Sequence, residues 1–152
     1  MAEVRIVPAR PRHVRRIARG MRTVDRRECA AFGLDPRAAL RRGLAGSALC
    51  WTALVDGEPE AMIGLVVRSA VAGEGMPWLL GTDRVMTQGR ALLALGPGVI
   101  AEMQALTPRL SNRVAVENAR AIRLLRRWGF VVEDAAREIG GVMFLPFGMG
   151  PI

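Results

Sequence analysis

The stretch Asn118-Ala-Arg-Ala-Ile-Arg-Leu-Leu-Arg-Arg-Trp-Gly-Phe130 decides how this chain is read. Asn118 is a helix-capping residue whose side-chain oxygen can accept from an orphan backbone N–H of the first turn. Ala121, Ile122, Leu125 and Trp128 recur at helical spacing and define one buried face. Gly129 supplies a left-handed C-terminal stop, and Phe130 opens an apolar run that reads as a strand.

Working outward from that unit, Arg113 to Val116 reads as the strand before it, and Phe130 to Glu133 pairs with Val142 to Phe147 after it. Gly140-Gly141 falls at or near the turn between these last strands. Upstream, a mainly helical stretch runs from Asp83 to Leu106, interrupted at Gly96-Pro97-Gly98. Trp78-Leu79-Leu80 is a short strand after a loop marked by Gly73, Gly75 and Pro77. Leu49 to Val55 and Ala61 to Val67 are strands joined through Asp56-Gly57, a strong hairpin signal. At the start, Val4 to Val7 is a strand closed by Pro8. Pro11 then begins a helix with Val14, Ile17, Ala18 and Met21 on one face. Asp25 to Phe32 is a second helix, and Asp35-Pro36 caps a further helical piece over Arg37 to Leu44. The order is β-α-α-β-β-β-α-β-α-β-β, an α/β (α+β) pattern without internal repeat or linker, so residues 1–152 form one domain.

Composition narrows the classes. At 51% hydrophobic the chain is not disordered. No apolar run reaches the roughly 20 residues of a membrane span. The Arg-rich start lacks the apolar stretch of a signal peptide, so secretion by one is not expected. Cys29 and Cys50 have neither metal nor redox spacing and read as free thiols in a reducing compartment. One histidine and two distant cysteines cannot assemble a typical zinc site, so no metal is expected. All 22 basic residues are arginine. Residues 1–42 carry 12 of them against four acids, a surplus of eight that equals the formal net charge of +8. Such asymmetry marks either a solvated face or a contact surface for a protein, phosphate or nucleic acid. The candidates for that surface are Arg12, Arg15, Arg16, Arg19, Arg22, Arg26 and Arg27. No aromatic residue interleaves with Arg10 to Arg27, which weakens a single-strand nucleic-acid reading.

The Asn118–Phe130 unit resembles the last motif of the GNAT acetyltransferase superfamily, in which a helix beside the cofactor ends in Gly-Phe. The resemblance implies a mixed, mostly antiparallel sheet with helices on both faces, and acetyl-CoA as acyl donor if the chain is active. Where the superfamily carries a tyrosine as general acid this chain has Leu125, and it contains no tyrosine at all. The superfamily's Gly-rich pyrophosphate loop maps onto Gly81-Thr-Asp-Arg-Val-Met-Thr-Gln-Gly-Arg-Ala91, which has no Gly-x-Gly. Gln88-Gly89-Arg90-Ala91 is the nearest fragment, and it lies too far into the expected helix. The resemblance leaves Asn118, Thr82, Arg84, Gln88, Gly89 and Arg90 as candidates for holding the cofactor. Asp83 opposes them with a negative charge. Glu60, the acid nearest a middle strand, reads as a hairpin-flanking surface charge before it reads as a base. His13 reads as a surface or helix-end residue.

A second resemblance is tighter. Gly75-Met-Pro-Trp78-Leu-Leu-Gly-Thr-Asp83, Leu110-Ser-Asn112-Arg-Val114-Ala-Val116-Glu-Asn118, Ile122-Arg-Leu-Leu125 and a late Phe144 are similar to small GNAT-like proteins of short-tailed bacteriophages, of the internal-virion or virion-assembly group. Arg19-Gly-Met-Arg-Thr-Val-Asp-Arg-Arg-Glu28 and Gly33 look like the same relatives. This resemblance implies a virion structural or assembly component with other virion proteins as partners, in the virion or the host cytoplasm. Trp78 and Trp128 then become core anchors. The alternative is an active acetyl-CoA-dependent N-acetyltransferase acting on an amine.

Overall fold

The computed structural model describes residues 2–151. The chain runs through β1 (Val4–Pro8), a 3-10 turn (Pro11–His13), α1 (Val14–Arg19), α2 (Thr23–Ala31) and α3 (Pro36–Gly46). A meander follows, made of β2 (Leu49–Val55), β3 (Glu58–Ser69) and β4 (Glu74–Gly81). Next come α4 (Asp83–Met86), α5 (Gly89–Leu106), β5 (Arg109–Ala115), α6 (Ala119–Arg127), β6 (Val131–Val132), β7 (Arg137–Ile139) and β8 (Val142–Met149). The sheet order is β1-β2-β3-β4-β5-β8-β6, with β7 also on β8, and among the described residues only the β4–β5 pair is parallel. The mixed, mostly antiparallel sheet with helices on both faces is thus present.

Alternation along the middle strands divides the core in two. Met62, Trp78 and Leu80 point to one face, where Val14, Ile17, Cys29 and Leu40 of the first three helices cover them. Ile63, Leu65 and Leu79 point to the other, under Val99, Ile100 and Met103 of α5 and Ile122 of α6. Among the described residues no helix is long and apolar enough to cross a membrane.

Three expectations change. The helical stretch does not break at Gly96-Pro97-Gly98; α5 runs through it, and the interruption falls at Thr87-Gln88. Gly96 is required because the Trp128 indole lies where a side chain would sit, with its Nε1–H donating to the Leu92 carbonyl at 3.2 Å. That tertiary contact outweighs the local cost of a proline, which removes one helical hydrogen bond. Secondly, Gly75 and Pro77 are not loop residues but part of the eight-residue β4: Thr107 and Leu65 fill the space where a Gly75 side chain would sit, and Pro77 lies beyond the two positions at which β4 pairs with β5. Thirdly, an additional short strand, β7, separates the last two expected ones, and Gly140-Gly141 turns β7 into β8.

Candidate active site

Strands β4 and β5 pair at only two positions, Glu74 with Arg109 and Gly75 with Leu110, and then separate. Pro77 has no N–H to give β5, and its carbonyl accepts instead from Asn112 Nδ2 at 2.8 Å. At the far end helix α2 wedges the strands apart. Thr82 N–H bonds the Glu60 carbonyl on the β3 side, so the polar groups of Gly81 face the other way. They meet α2: the Gly81 carbonyl accepts from Arg22 N–H at 2.9 Å, and Gly81 N–H donates to Asp25 Oδ2 at 3.0 Å. On β5, Ala115 N–H donates to Glu28 Oε2 at 2.7 Å. Two carboxylates of one helix thus replace the missing ladder. Leu79, midway between Pro77 and Gly81 on the same edge, presents its N–H to the open gap by strand alternation.

The gap opens into a cavity of about 520 Å³ that crosses the sheet. Its walls are apolar on both faces, with Met76, Trp78, Phe32 and Leu34 on the α2–α3 side and Leu92, Val99 and Trp128 on the α5–α6 side. Arg22, Asp25, Glu28 and Asn118 supply its polar floor. Arg22 Nη1 pairs with Asp25 Oδ1 at 3.2 Å, and Nη2 donates to Asn118 Oδ1 at 3.1 Å. Asn118 also accepts from Ala121 N–H at 3.4 Å, as a helix cap, and its Nδ2 donates to Glu28 Oε1 at 3.3 Å. Loss of hydration raises Asp25 to about 6, against the opposing pull of Gly81 N–H and Arg22. The same cause raises Glu28 to about 7, helped by the neighbouring Asp25 charge and opposed by Ala115 N–H and Asn118. A carboxyl poised near neutrality beside an open cleft is suited to accepting a proton at physiological pH. Burial, with Asp25 and Glu28 nearby, pushes the Cys29 thiol up to about 12, which disfavours the thiolate.

The residues singled out from sequence separate into groups. Asn118 lies at the cluster and caps α6 at once. Thr82 is buried, with its hydroxyl on Glu60 Oε1 at 3.3 Å. Arg84 is held by Asp56 Oδ2 at 2.9 Å and Glu60 Oε2 at 3.4 Å. Gln88, Gly89 and Arg90 stand at the start of α5 rather than within it, with Gln88 as the N-cap residue and no side chain closing the first turn. Leu125 lines the cavity and packs against the core. Trp78 and Trp128 do both as well.

Several surface expectations fail. Glu60 is buried, not a surface charge, because Arg16 of α1 and Thr82 and Arg84 at the start of α4 converge on it. His13 is buried, its Nδ1 accepting from Arg10 N–H at 3.0 Å and lying 2.7 Å from Thr52 Oγ1. Arg22 is buried in the cluster rather than on a contact face. Arg26 is spent on the carbonyls of Ala18, Arg19 and Met21, which closes the C-terminal end of α1. Arg12, Arg15, Arg16, Arg19 and Arg27 are exposed, though Arg16 pairs with Glu58 and Glu60 and Arg27 with Glu117. Among the described residues no group of His, Cys, Asp and Glu is placed to hold a metal ion. Asp25 and Glu28 are not among the residues the sequence points to for the site. Their three-residue spacing in register with Cys29 was the available signal.

A mixed sheet opened between two parallel strands, with a helix starting beyond the first of them, is the fold of the GNAT acetyltransferases. A probable acetyltransferase superposes with a TM-score of 0.72 at 18% identity, over 97% of this chain and 92% of the other. A GNAT-family acetyltransferase from Streptococcus pneumoniae gives 0.63 at 18% identity, over 97% and 99%. The spermidine N-acetyltransferase of Vibrio cholerae, solved with CoA and spermine, gives 0.70 at 12% identity, over 97% and 95%. At these identities the likeness is one of fold. No protein-family model and no curated protein matches the chain.

Proposed function

We propose that the chain is an acyl-CoA-dependent N-acyltransferase working in the β4–β5 cleft. The observation that carries this reading is the polar floor of an otherwise apolar cavity. There Glu28, near neutrality, lies on the same opening as the Leu79 N–H. The residues present fit such a donor. The first-turn N–H groups of α5 at Gly89 and Arg90 have no side-chain cap, and a helix N-terminus with open backbone groups suits a pyrophosphate. Space stands open where a Gly89 side chain would be. Arg90 adds a cation there in place of Arg84, which Asp56 and Glu60 occupy.

When bound, the donor supplies an acyl thioester. Leu79 N–H is placed to polarise the thioester oxygen where negative charge develops. Glu28 accepts one proton from the acceptor ammonium and releases it to solvent, freeing the nitrogen lone pair. The freed nitrogen would take the acyl group as the donor's C–S bond breaks, with the second nitrogen proton leaving on the thiol. No tyrosine is needed in this scheme, because a thiolate is a tolerable leaving group. Asn118 and Ala115 N–H hold the Glu28 carboxyl, and Arg22 holds Asp25.

A second reading, a virion assembly component that keeps the fold without the chemistry, draws on a different observation. Thr82 and Arg84, two of the expected cofactor contacts, are tied to Glu60 and Asp56, while exposed arginines such as Arg12, Arg15 and Arg19 face outward. The two readings part on acetyl-CoA. Titration of the folded protein should give one site per chain under the first and none under the second.

A further inference from the structure

The cluster on the cavity floor is one positive charge short. Arg22 is its only guanidinium, and it spends its two ends on Asp25 and on the Asn118 carbonyl oxygen. Glu28 receives neutral donors only, Ala115 N–H and Asn118 Nδ2, and among the described residues no cation lies within 4.0 Å of it. With both carboxyls ionised, the floor therefore carries a net negative charge out of bulk water, facing an apolar cavity. A carboxylate in that position is stabilised by a cation that enters with its own apolar surroundings.

The remaining charges on the cavity wall restrict what can enter. Apart from Asp25 and Glu28 they are Arg22, Arg42 and Arg113, all positive. Arg42 on α3 and Arg113 on β5 are exposed, and they repel a second ammonium extending from the floor. The wall on the α2–α3 side includes Phe32, Leu34, Met76 and Trp78, which offer a second ammonium no carboxylate. Phe32 is 53% exposed although its ring packs 5.7 Å from that of Phe144, so an apolar face is available to a ligand.

We infer that the acceptor is a primary amine carrying a single positive charge on an apolar, aromatic-sized body, with its ammonium seated against Glu28 and Asp25. This rests on the acyl-transfer reading for the fate of the amine, but not for its binding. The same charges disfavour a polyamine, whose second ammonium would meet Arg42 or Arg113 and no carboxylate.

The test titrates the full chain, without CoA, with 2-phenylethylamine and with spermidine at pH 8, by calorimetry. The expected result is one 2-phenylethylamine site per chain, at least tenfold tighter than spermidine. Glu28→Gln is expected to weaken it tenfold or more while circular dichroism stays unchanged. Phe32→Ala should weaken 2-phenylethylamine several-fold and leave methylamine unaffected, a contrast that a folding defect does not produce. Spermidine binding as tightly as 2-phenylethylamine, an unchanged affinity in a folded Glu28→Gln variant, or no binding of the monoamine would each overturn the inference. A separate CoA titration distinguishes the two failures. Amine binding without CoA binding would sink acyl transfer and leave this inference standing. CoA binding without amine binding would do the reverse.

Discussion

Replacing Glu28 by glutamine should make the protein more stable at pH 8 and nearly inactive. Burial lifts the Glu28 carboxyl from 4.5 to about 7, so the native state binds its proton more tightly than the unfolded chain does. The stability linked to that proton is full below pH 4.5 and is lost as pH rises through 7. At about 1.4 kcal/mol per pH unit, the difference between 4.5 and 7 is worth about 3 kcal/mol against the native state at pH 8. Glutamine carries no charge and keeps an oxygen for Ala115 N–H. Its amide nitrogen faces Asn118 Nδ2, however, and the 3.3 Å hydrogen bond is lost at about 1 kcal/mol. The net gain is about 2 kcal/mol at pH 8, or about 4–8 °C in Tm for a chain of this size. At pH 5, just above the unfolded value of 4.5, the linked difference is down to about 1 kcal/mol and offsets the lost hydrogen bond; the two proteins should melt together. Thermal melts of parent and variant at pH 5 and 8 measure this directly. His13 is common to both proteins and does not touch Glu28, whereas Asp25 and Cys29 lose the repulsion of the Glu28 charge in the variant, which acts in the same stabilising direction at pH 8. In the same variant the acyl-transfer rate should fall by about 10²-fold or more. A variant less stable than its parent at pH 8 would refute the reasoning, because it would mean that the ionised carboxylate stabilises the native fold.

Leu79→Pro deletes the N–H facing the cleft, at an edge where no strand needs it. It should lower kcat by about 10²–10³-fold while acetyl-CoA affinity, read by calorimetry, is kept. Equal loss of both would assign Leu79 to folding rather than to catalysis. Gly96→Ala drives a methyl group into the Trp128 indole and should cost about 1–3 kcal/mol in urea denaturation. An unchanged midpoint would mean that Trp128 is not held against α5. Arg15→Glu together with Arg19→Glu alters exposed side chains that do not line the cleft, so CoA and amine binding should match the parent in calorimetry. A large change would place the active face on α1 instead.

The parts of the fold legible in the sequence are those whose signals are local. Asn118 does cap α6, and Gly129 does take a positive φ of 99° after it. Asp35 and Pro36 open α3, with Asp35 accepting from Ala38 N–H at 2.8 Å. The Asp56-Gly57 hairpin joins β2 and β3. What failed was decided by distant partners. Pro97 reads as a break until Trp128 is known to occupy the space above Gly96. Glu60 reads as a solvated charge until Arg16 and Arg84 arrive from elements on either side of it in the chain. Asp25 and Glu28 are the clearest case. Within an arginine-rich helix they look like ordinary compensating acids. Their role comes from the separation of β4 and β5, which leaves Gly81 and Ala115 N–H groups without a strand to bond. No residue near Asp25 or Glu28 in sequence announces that gap. The Arg-rich first quarter reads as one surface, whereas Arg22 and Arg26 turn inward, one to the site and one to the end of α1.

The most direct measurement is calorimetric titration of the folded protein with acetyl-CoA and with CoA. Acyl transfer in the β4–β5 cleft requires one site per chain for acetyl-CoA, with product CoA competing for it. A folded sample that takes up neither would contradict the account and leave a GNAT fold retained without its chemistry.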